Sequence, residues 1–121
     1  GGTIRAIAAD DNYVYVGGET TQTVWKLNKT DLSQAAESAN YGGGIWAIAA
    51  DDNYVYVGGA TTQTVKKLNK SDLSQAAASA SYGGTIRAIA ADDNYVYVGG
   101  YDTQTVRRLI DIVLIGYKEV T

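Results

Sequence analysis

The chain has 121 residues, of which 45% are hydrophobic and 19% are charged, and its formal net charge is −3. This length suits one modest domain or a part of a larger protein. His, Cys, Met, Pro and Phe are absent, which excludes disulfides, thiolate nucleophiles, zinc–sulfur sites and histidine as a general base.

The charge balance and the hydropathy limit the classes of partner. Thirteen acidic residues against ten basic ones predict a mildly acidic surface that repels phosphate backbones, so we expect no nucleic-acid partner. No apolar run approaches the roughly 18 residues that a membrane helix needs, so we expect no membrane partner. The N-terminus has no signal-peptide pattern, and Gly1-Gly2 in place of Met indicates processing or excision from something longer.

An internal repeat decides the organisation of the chain. The segment that begins at Gly1 returns from Gly42 and again from Gly83, so the period is 41 residues. The third copy follows the same pattern as far as Leu109 and then diverges. Such near-identity indicates an engineered or recently amplified array. We take three units as its building blocks: residues 1–41, 42–82 and 83–121.

The first half of each unit predicts two strands. In the first unit, Ile4–Ala9 suits a strand of small, tightly packed residues. Asp10-Asp11-Asn12 follows, a turn cluster whose side chains can bond their own backbone. Tyr13–Val16 is the strongest strand signal, with tyrosines on one face and valines on the other. A strand that is apolar on both faces needs cover on both faces.

The second half of the unit predicts two further strands. We attribute two groups of glycines and their copies to turns that need positive φ: Gly17-Gly18, which ends the second strand, and Gly42-Gly43-Gly44, which leads into the next unit. A third strand is expected at about Gln22–Asn28. The segment from Leu32 to Tyr41 favours a half-exposed outer edge strand, with a short helix as the alternative.

These motifs resemble the blades of YVTN-type and quinoprotein-like β-propellers. The resemblance rests on the run from Ile7 to Gly18, on Gln22-Thr23-Val24 and on Tyr41-Gly42-Gly43. It covers residues 1–109 and implies an all-β fold of three four-stranded blades. The tryptophan-docking pattern of quinoproteins is absent, because Trp25 and Trp46 recur in neither sister unit. The resemblance therefore supplies no cofactor-binding residues, and we expect no cofactor.

Three blades do not make a ring, since propellers close with four to eight. The two terminal faces would expose apolar surface whose burial is worth several kcal/mol at roughly 25 cal/mol per Å². We therefore expect the chain to associate with itself, as a homodimer of six blades or a homotrimer of nine. Two alternatives stay open: a fragment of a longer array, and a monomeric β-trefoil, which also has three units of about 40 residues.

The sequence offers little for catalysis. The only recurring acidic clusters are the Asp-Asp-Asn triplets at 10–12, 51–53 and 92–94. Their oxygens are calcium-type ligands, but a hairpin turn explains them better, so we predict no metal site. Ser and Thr hydroxyls have no base to activate them, and we predict no catalytic residue and no enzyme.

The positions that vary between units point to one side of a ring. Several lie on or beside the loops that enter the first strand and join the second to the third. Arg, Trp and Tyr are favoured at binding hot spots, although drift at exposed positions also explains the variation. The leading interpretation is a self-assembling structural scaffold; the alternative is a lectin-like or peptide-binding module. The candidate ligand-binding residues are Arg5, Glu19, Trp46, Arg87 and Tyr101.

Overall fold

A computed structural model describes residues 3–20, 22–61, 63–100, 105–110 and 112–119. Within these ranges the chain forms strands joined by short turns, and none of the described residues forms a helix able to span a bilayer. The strands are β1 (Ile4–Ala9), β2 (Tyr13–Gly18), β3 (Trp25–Asn28), β4 (Gln34–Glu37), β5 (Ile45–Ala50), β6 (Tyr54–Gly59), β7 (Lys66–Asn69), β8 (Gln75–Ala78), β9 (Ile86–Ala91), β10 (Val96–Gly100), β11 (Thr105–Ile110) and β12 (Val113–Glu119).

The strands form three separate antiparallel sheets of four, each in sequence order. We call them blade 1 (β1–β4), blade 2 (β5–β8) and blade 3 (β9–β12). The inner strand β5 contacts both β1 and β9, whereas the described residues of β1 and β9 do not contact each other. A trefoil would join its units in one closed barrel, so that alternative is wrong. The all-β fold of three four-stranded blades is confirmed.

Two strands differ in extent from the expectation. The third strand begins at Trp25 instead of Gln22, because Gln22 has a φ of 62° and the chain there is not extended. The outer strand Gln34–Glu37 lies inside the segment where an edge strand is expected, so the helical alternative is wrong.

The glycines that end the second strand have a different role from the predicted one. The strand continues through Gly17 and Gly18, so the turn expected there is wrong. The positive φ expected in the Gly42-Gly43-Gly44 turn is present at Gly42, with a φ of 103°. A Cβ added to Gly17 would lie 2.7 Å from Cγ2 of Ile45 in blade 2. Glycine is needed there because the isoleucine of the next blade occupies the space of a side chain.

Each blade has two apolar faces, named after the residues of its second strand. In blade 1 the tyrosine face consists of Ala6, Ala8, Tyr13, Tyr15 and Val24, and the valine face consists of Ile4, Ile7, Val14, Val16 and Leu27. The same positions of the other units form the corresponding faces of blades 2 and 3.

The blades pack with unlike faces together. The tyrosine face of blade 1 forms one core cluster with the valine face of blade 2. The tyrosine face of blade 2 forms the second cluster with the valine face of blade 3. At the first of these interfaces the linker residue Tyr41 is buried, and its hydroxyl donates to the carbonyl of Thr64 at 2.5 Å. The stack of three blades therefore ends with the valine face of blade 1 on one side and the tyrosine face of blade 3 on the other.

Candidate functional site

The Asp-Asp-Asn triplets close hairpin turns. One carboxylate oxygen of Asp10 accepts hydrogen bonds from the backbone N–H groups of Asn12 (2.9 Å) and Tyr13 (2.7 Å). The other accepts from the hydroxyl of Tyr15 at 2.8 Å. Asp51 is held in the same way. No group of three or more acidic residues in the described part of the chain is arranged to hold a metal ion.

Asp10 also forms an ion pair between blades. Its carboxylate lies 2.8 Å from Nζ of Lys70, and the two side chains are about one-fifth exposed. Burial alone would raise the pKa of Asp10, but the Lys70 ammonium and the hydrogen bonds from Asn12, Tyr13 and Tyr15 hold that pKa well below its usual range. The pKa of the Tyr15 hydroxyl is raised, first by burial and then by its hydrogen bond to the Asp10 carboxylate.

The valine face of blade 1 is open. Ile4 is 61% exposed, whereas Ile45, its counterpart in blade 2, is 0% exposed. Leu32, in the loop between β3 and β4, is also 61% exposed, whereas its counterpart Leu73 is 1% exposed. Leu32 nevertheless keeps the left-handed backbone of Leu73, with φ values of 60° and 64°. The backbone at Leu32 on the open face thus has the same conformation as the backbone at Leu73 on the covered face.

The tyrosine face of blade 3 is open as well. Val106 is 39% exposed, whereas its counterpart Val24 is 0% exposed. The hydroxyl of Tyr97 stands 3.5 Å from the carboxylate of Asp92, against 2.8 Å for the same pair in blade 1. A Cβ added to Gly99 would meet nothing within 4 Å. The space beside this glycine, which an isoleucine of the next blade occupies in blades 1 and 2, is therefore open in blade 3.

Polar contacts also connect successive blades. Lys26 is buried on the tyrosine face of blade 1, where its ammonium lies 4.1 Å from the ring centroid of Tyr13. It donates to the carbonyls of Lys70 (2.7 Å) and Ser71 (3.3 Å) in blade 2. Arg108 has the corresponding position in blade 3, where its guanidinium is 4.9 Å from the ring of Tyr95 and its side chain is exposed.

The structure brings four of the five candidate ligand-binding residues together. Arg5 lies with its guanidinium carbon 4.6 Å from the ring centroid of Trp46, and Arg87 lies 3.8 Å from the same ring. Arg5 also donates to the carboxylate of Glu19 at 3.2 Å. Tyr101 lies outside the described residues. One indole with two guanidinium groups against it is a cation–π arrangement, and it faces solvent, since Arg5 and Arg87 are exposed.

The residues that give the open faces their shape are not evident from the sequence. Gly99 and Ile4 stand out only when each is compared with its counterparts in a neighbouring blade, because the spacing within one unit does not show what the next unit contacts. A signal was present: the second strand has glycine in every unit at a position where a turn was expected.

No protein-family model matches the sequence, and no curated protein matches it either. Among solved structures, it is similar to the computationally designed Ika4 protein, with a TM-score of 0.83 and 21% identity over 95% of this chain and 71% of that one. For the designed Ika8 protein the TM-score is 0.83 and the identity 21%, over 97% of this chain and 36% of that one. For the WD40 beta propeller domain of Doa1 the values are 0.78 and 17%, over 97% and 40%.

At these identities the likeness shows the fold, which is that of propeller blades. The chain spans less than half the length of the Ika8 and Doa1 structures. The finer assignment to the YVTN-type or quinoprotein-like kind is not confirmed.

Proposed function

We propose that this chain is a non-enzymatic repeat scaffold that closes a propeller by head-to-tail association with copies of itself. Two copies would give six blades and three would give nine. The observation that carries the proposal is that the two open faces are complementary by sequence. The valine face of blade 1 and the tyrosine face of blade 3 repeat residues that pack together at both internal interfaces.

The apolar part of the proposed join follows from the internal interfaces. Ile45 sits against Gly17, and Ile86 sits against Gly58, each with its Cγ2 atom 2.7 Å from the place of a glycine Cβ. Ile4 of one copy would enter the open space at Gly99 of another in the same way. Leu32 would be covered as Leu73 is. Full burial of one such side chain contributes about 1.5–3 kcal/mol.

The polar residues at the proposed join correspond to those that pair at the interface between blades 1 and 2. Lys70 of blade 2 pairs with Asp10 of blade 1, so Lys29 of one copy would pair with Asp92 of another. Lys29 already has the pose of Lys70, because each donates to the carbonyl of the aspartate in its own turn at 2.6 Å. Arg108 would donate to backbone carbonyls across the join, as Lys26 does within the chain.

The scaffold interpretation has two further supports. The first aspartate of each triplet accepts backbone N–H groups in a turn, which is a structural role. The similar solved structures include two computationally designed propellers, which suits an engineered array of nearly identical units.

The test is the mass of the protein in solution, measured by native mass spectrometry and sedimentation over a range of concentrations. We expect the mass of two or three chains for the wild type. Gly99→Val places a branched side chain where Ile4 of the next copy must lie, and we expect it to remain a folded single chain. Combining it with Ile4→Ala restores space, and we expect association to return in part.

The matched control is Ala76→Val, which adds the same side chain on exposed strand β8 of the middle blade, away from both open faces. It should associate like the wild type. A wild-type protein that stays a single chain at every concentration would overturn the proposal. So would a Gly99→Val variant that associates normally, because association would then use another surface, such as the apolar outer strand β12 with its exposed Val113 and Tyr117.

A second candidate function is ligand binding at Arg5, Trp46 and Arg87, near the start of the inner strands, together with Glu19, which follows β2. The observation that favours it is their convergence around one indole ring. A glycan and peptide panel tests it directly. Binding that Trp46→Ala abolishes supports this candidate, and binding that survives the substitution removes it.

A further inference from the structure

A cavity of about 310 Å³ lies between blades 2 and 3 of the same chain, beside their outer strands. Val65, Val98 and Leu109 line it and are buried. Val113 and Leu114 of β12 also line it and are exposed, so the cavity opens to solvent at this strand. Small-molecule sites have volumes of about 300 Å³ and more and are mostly apolar. In size and lining this cavity is therefore suited to a small organic molecule.

The equivalent space between blades 1 and 2 is much smaller, at about 50 Å³. Leu114 takes the place of Gln75, because it pairs with β11 at the position where Gln75 pairs with β7. Val113 takes the place of Ser74 in the same way. The divergent end of the third unit thus turns a small cleft with a polar rim into a larger cavity with an apolar rim.

Arg107 is the only charged residue among the described residues that line the larger cavity. Its Nη1 atom donates to the carbonyl of Ser81 at 3.2 Å, and its guanidinium carbon lies 4.9 Å from the ring centroid of Tyr82. Neither contact neutralises the charge, and a guanidinium has five N–H donors, so donors remain for a ligand. No carboxylate of the described residues forms an ion pair with Arg107. The cavity therefore combines an apolar space with one positive charge.

We propose that this cavity binds a small monocarboxylate with an apolar body. The carboxylate would bind the guanidinium of Arg107, whose parallel N–H donors match two carboxylate oxygens. The body would pack on Val65 and Val98. An apolar cavity of about 150 Å³ holds benzene, so this larger one suits a ring with a short aliphatic chain. The site lies within one chain, and the inference therefore does not rest on the self-association proposed above.

The test is isothermal titration calorimetry of the full chain with 4-phenylbutyrate at pH 7.5. We expect one molecule to bind per chain, with saturation at millimolar concentrations. The neutral analogue 4-phenylbutan-1-ol keeps the apolar body and lacks the charge, so it should bind at least tenfold more weakly. Arg107→Gln should weaken 4-phenylbutyrate at least tenfold and leave the alcohol within twofold, which also shows that the cavity is intact. Val113→Ser combined with Leu114→Gln gives the rim the residues of the small cleft and should weaken both ligands.

The charge-matched control is Lys66→Gln. Lys66 has the position of Arg107 in blade 2, where it lines the small cleft and donates to the carbonyl of Tyr41 at 2.8 Å. This variant should keep the wild-type affinity within twofold, and an equal loss in both variants would overturn the inference. Wild-type protein that binds the alcohol as tightly as the carboxylate, or that gives no saturable binding of 4-phenylbutyrate, would overturn it as well. So would an Arg107→Gln variant that loses both ligands.

The Gly99→Val variant separates this inference from the self-association. A single chain contains the whole cavity, so this variant should bind 4-phenylbutyrate as tightly as the wild type. Binding that occurs only in the assembled protein would overturn the inference, because the site would then lie at the join. Wild-type protein that stays a single chain and binds the ligand refutes the self-association alone, and assembled protein that does not bind it refutes this inference alone.

Discussion

The interface between blades 1 and 2 differs from the two open faces mainly in what covers it. Ile45 and Ile4 occupy the same position of their units, and one is sealed while the other faces water. Backbone conformation changes little: Leu32 keeps the left-handed φ of Leu73. The blade is therefore shaped by its own strands and turns, and the neighbouring blade adds burial. Substituting equivalent residues at a covered and an open face, such as Ile45 and Ile4, therefore measures how much the neighbouring blade contributes to the free energy of unfolding.

The largest expected contrast is between Ile45→Ala and Ile4→Ala. Removing a fully buried isoleucine side chain costs about 2–5 kcal/mol of the free energy of unfolding. In the dilute single chain, Ile4→Ala should cost about 0.5 kcal/mol or less, because its side chain is exposed.

Urea unfolding at low and high protein concentration measures both variants. The cost of Ile4→Ala should rise toward that of Ile45→Ala as the protein associates. If it stays small in an associated sample, Ile4 does not lie at the join.

The next contrast is between Asp10→Asn and Asp92→Asn. The pKa of Asp10 is held low in the folded state, so its carboxylate contributes stability that is present above the unfolded-state value of about 3.9 and is lost as the pH falls. Hydrogen bonds to a charged group contribute about 1.5–3 kcal/mol, and Asp10→Asn should lose an amount of this order at pH 7. The pKa of Asp92 is also lowered, by the N–H groups of Tyr95 and Asn94, but its blade is uncovered.

Asp92→Asn should therefore have the smaller effect in the single chain. Thermal unfolding between pH 2 and pH 7 measures both. The acid-induced loss of stability should be shallower in Asp10→Asn than in the wild type. An Asp10→Asn variant whose unfolding curve keeps the wild-type pH dependence would show that other groups cause the acid sensitivity.

The third contrast is between Gly58→Ala and Gly99→Ala, which we expect to change the free energy of unfolding in opposite directions. A methyl group at Gly58 would lie 2.7 Å from Cγ2 of Ile86, and such overpacking costs about 1–3 kcal/mol. A methyl group at Gly99 meets nothing within 4 Å. Gly99→Ala should leave the single chain unchanged or stabilise it by about 0.4–1 kcal/mol, because the unfolded chain loses freedom. Dilute thermal unfolding compares the pair, and equal destabilisation would mean that Gly99 is already covered within one chain.

The sequence predicted the blade from features that lie within one unit. The alternation of tyrosine and valine in Tyr13–Val16 predicted a strand with two apolar faces, and Asp10 predicted the turn before it. Both predictions depend only on residues that are close in sequence. The predicted role of Gly17, a turn residue, was wrong. Glycine is required there because Ile45 of the next blade occupies the space of a side chain, and that contact lies outside the unit. Arg5 and Trp46 were selected as varying positions, but their stacking depends on the distance between blades, which the residues of one unit do not encode.

The smallest contrast is between Tyr56→Phe and Tyr97→Phe. The hydroxyl of Tyr56 donates to Asp51 at 2.7 Å on a covered face, whereas that of Tyr97 stands 3.5 Å from Asp92 on an open one. A buried hydrogen bond of this kind contributes about 0.5–1.5 kcal/mol, so Tyr56→Phe should lose about that much and Tyr97→Phe almost nothing in the dilute chain. Association would cover Tyr97 and shorten its bond to Asp92, so the cost of Tyr97→Phe should grow with protein concentration while that of Tyr56→Phe stays constant. Parallel urea titrations at two concentrations separate these outcomes, and a Tyr97→Phe cost that never changes in an associated sample would place the join away from this face.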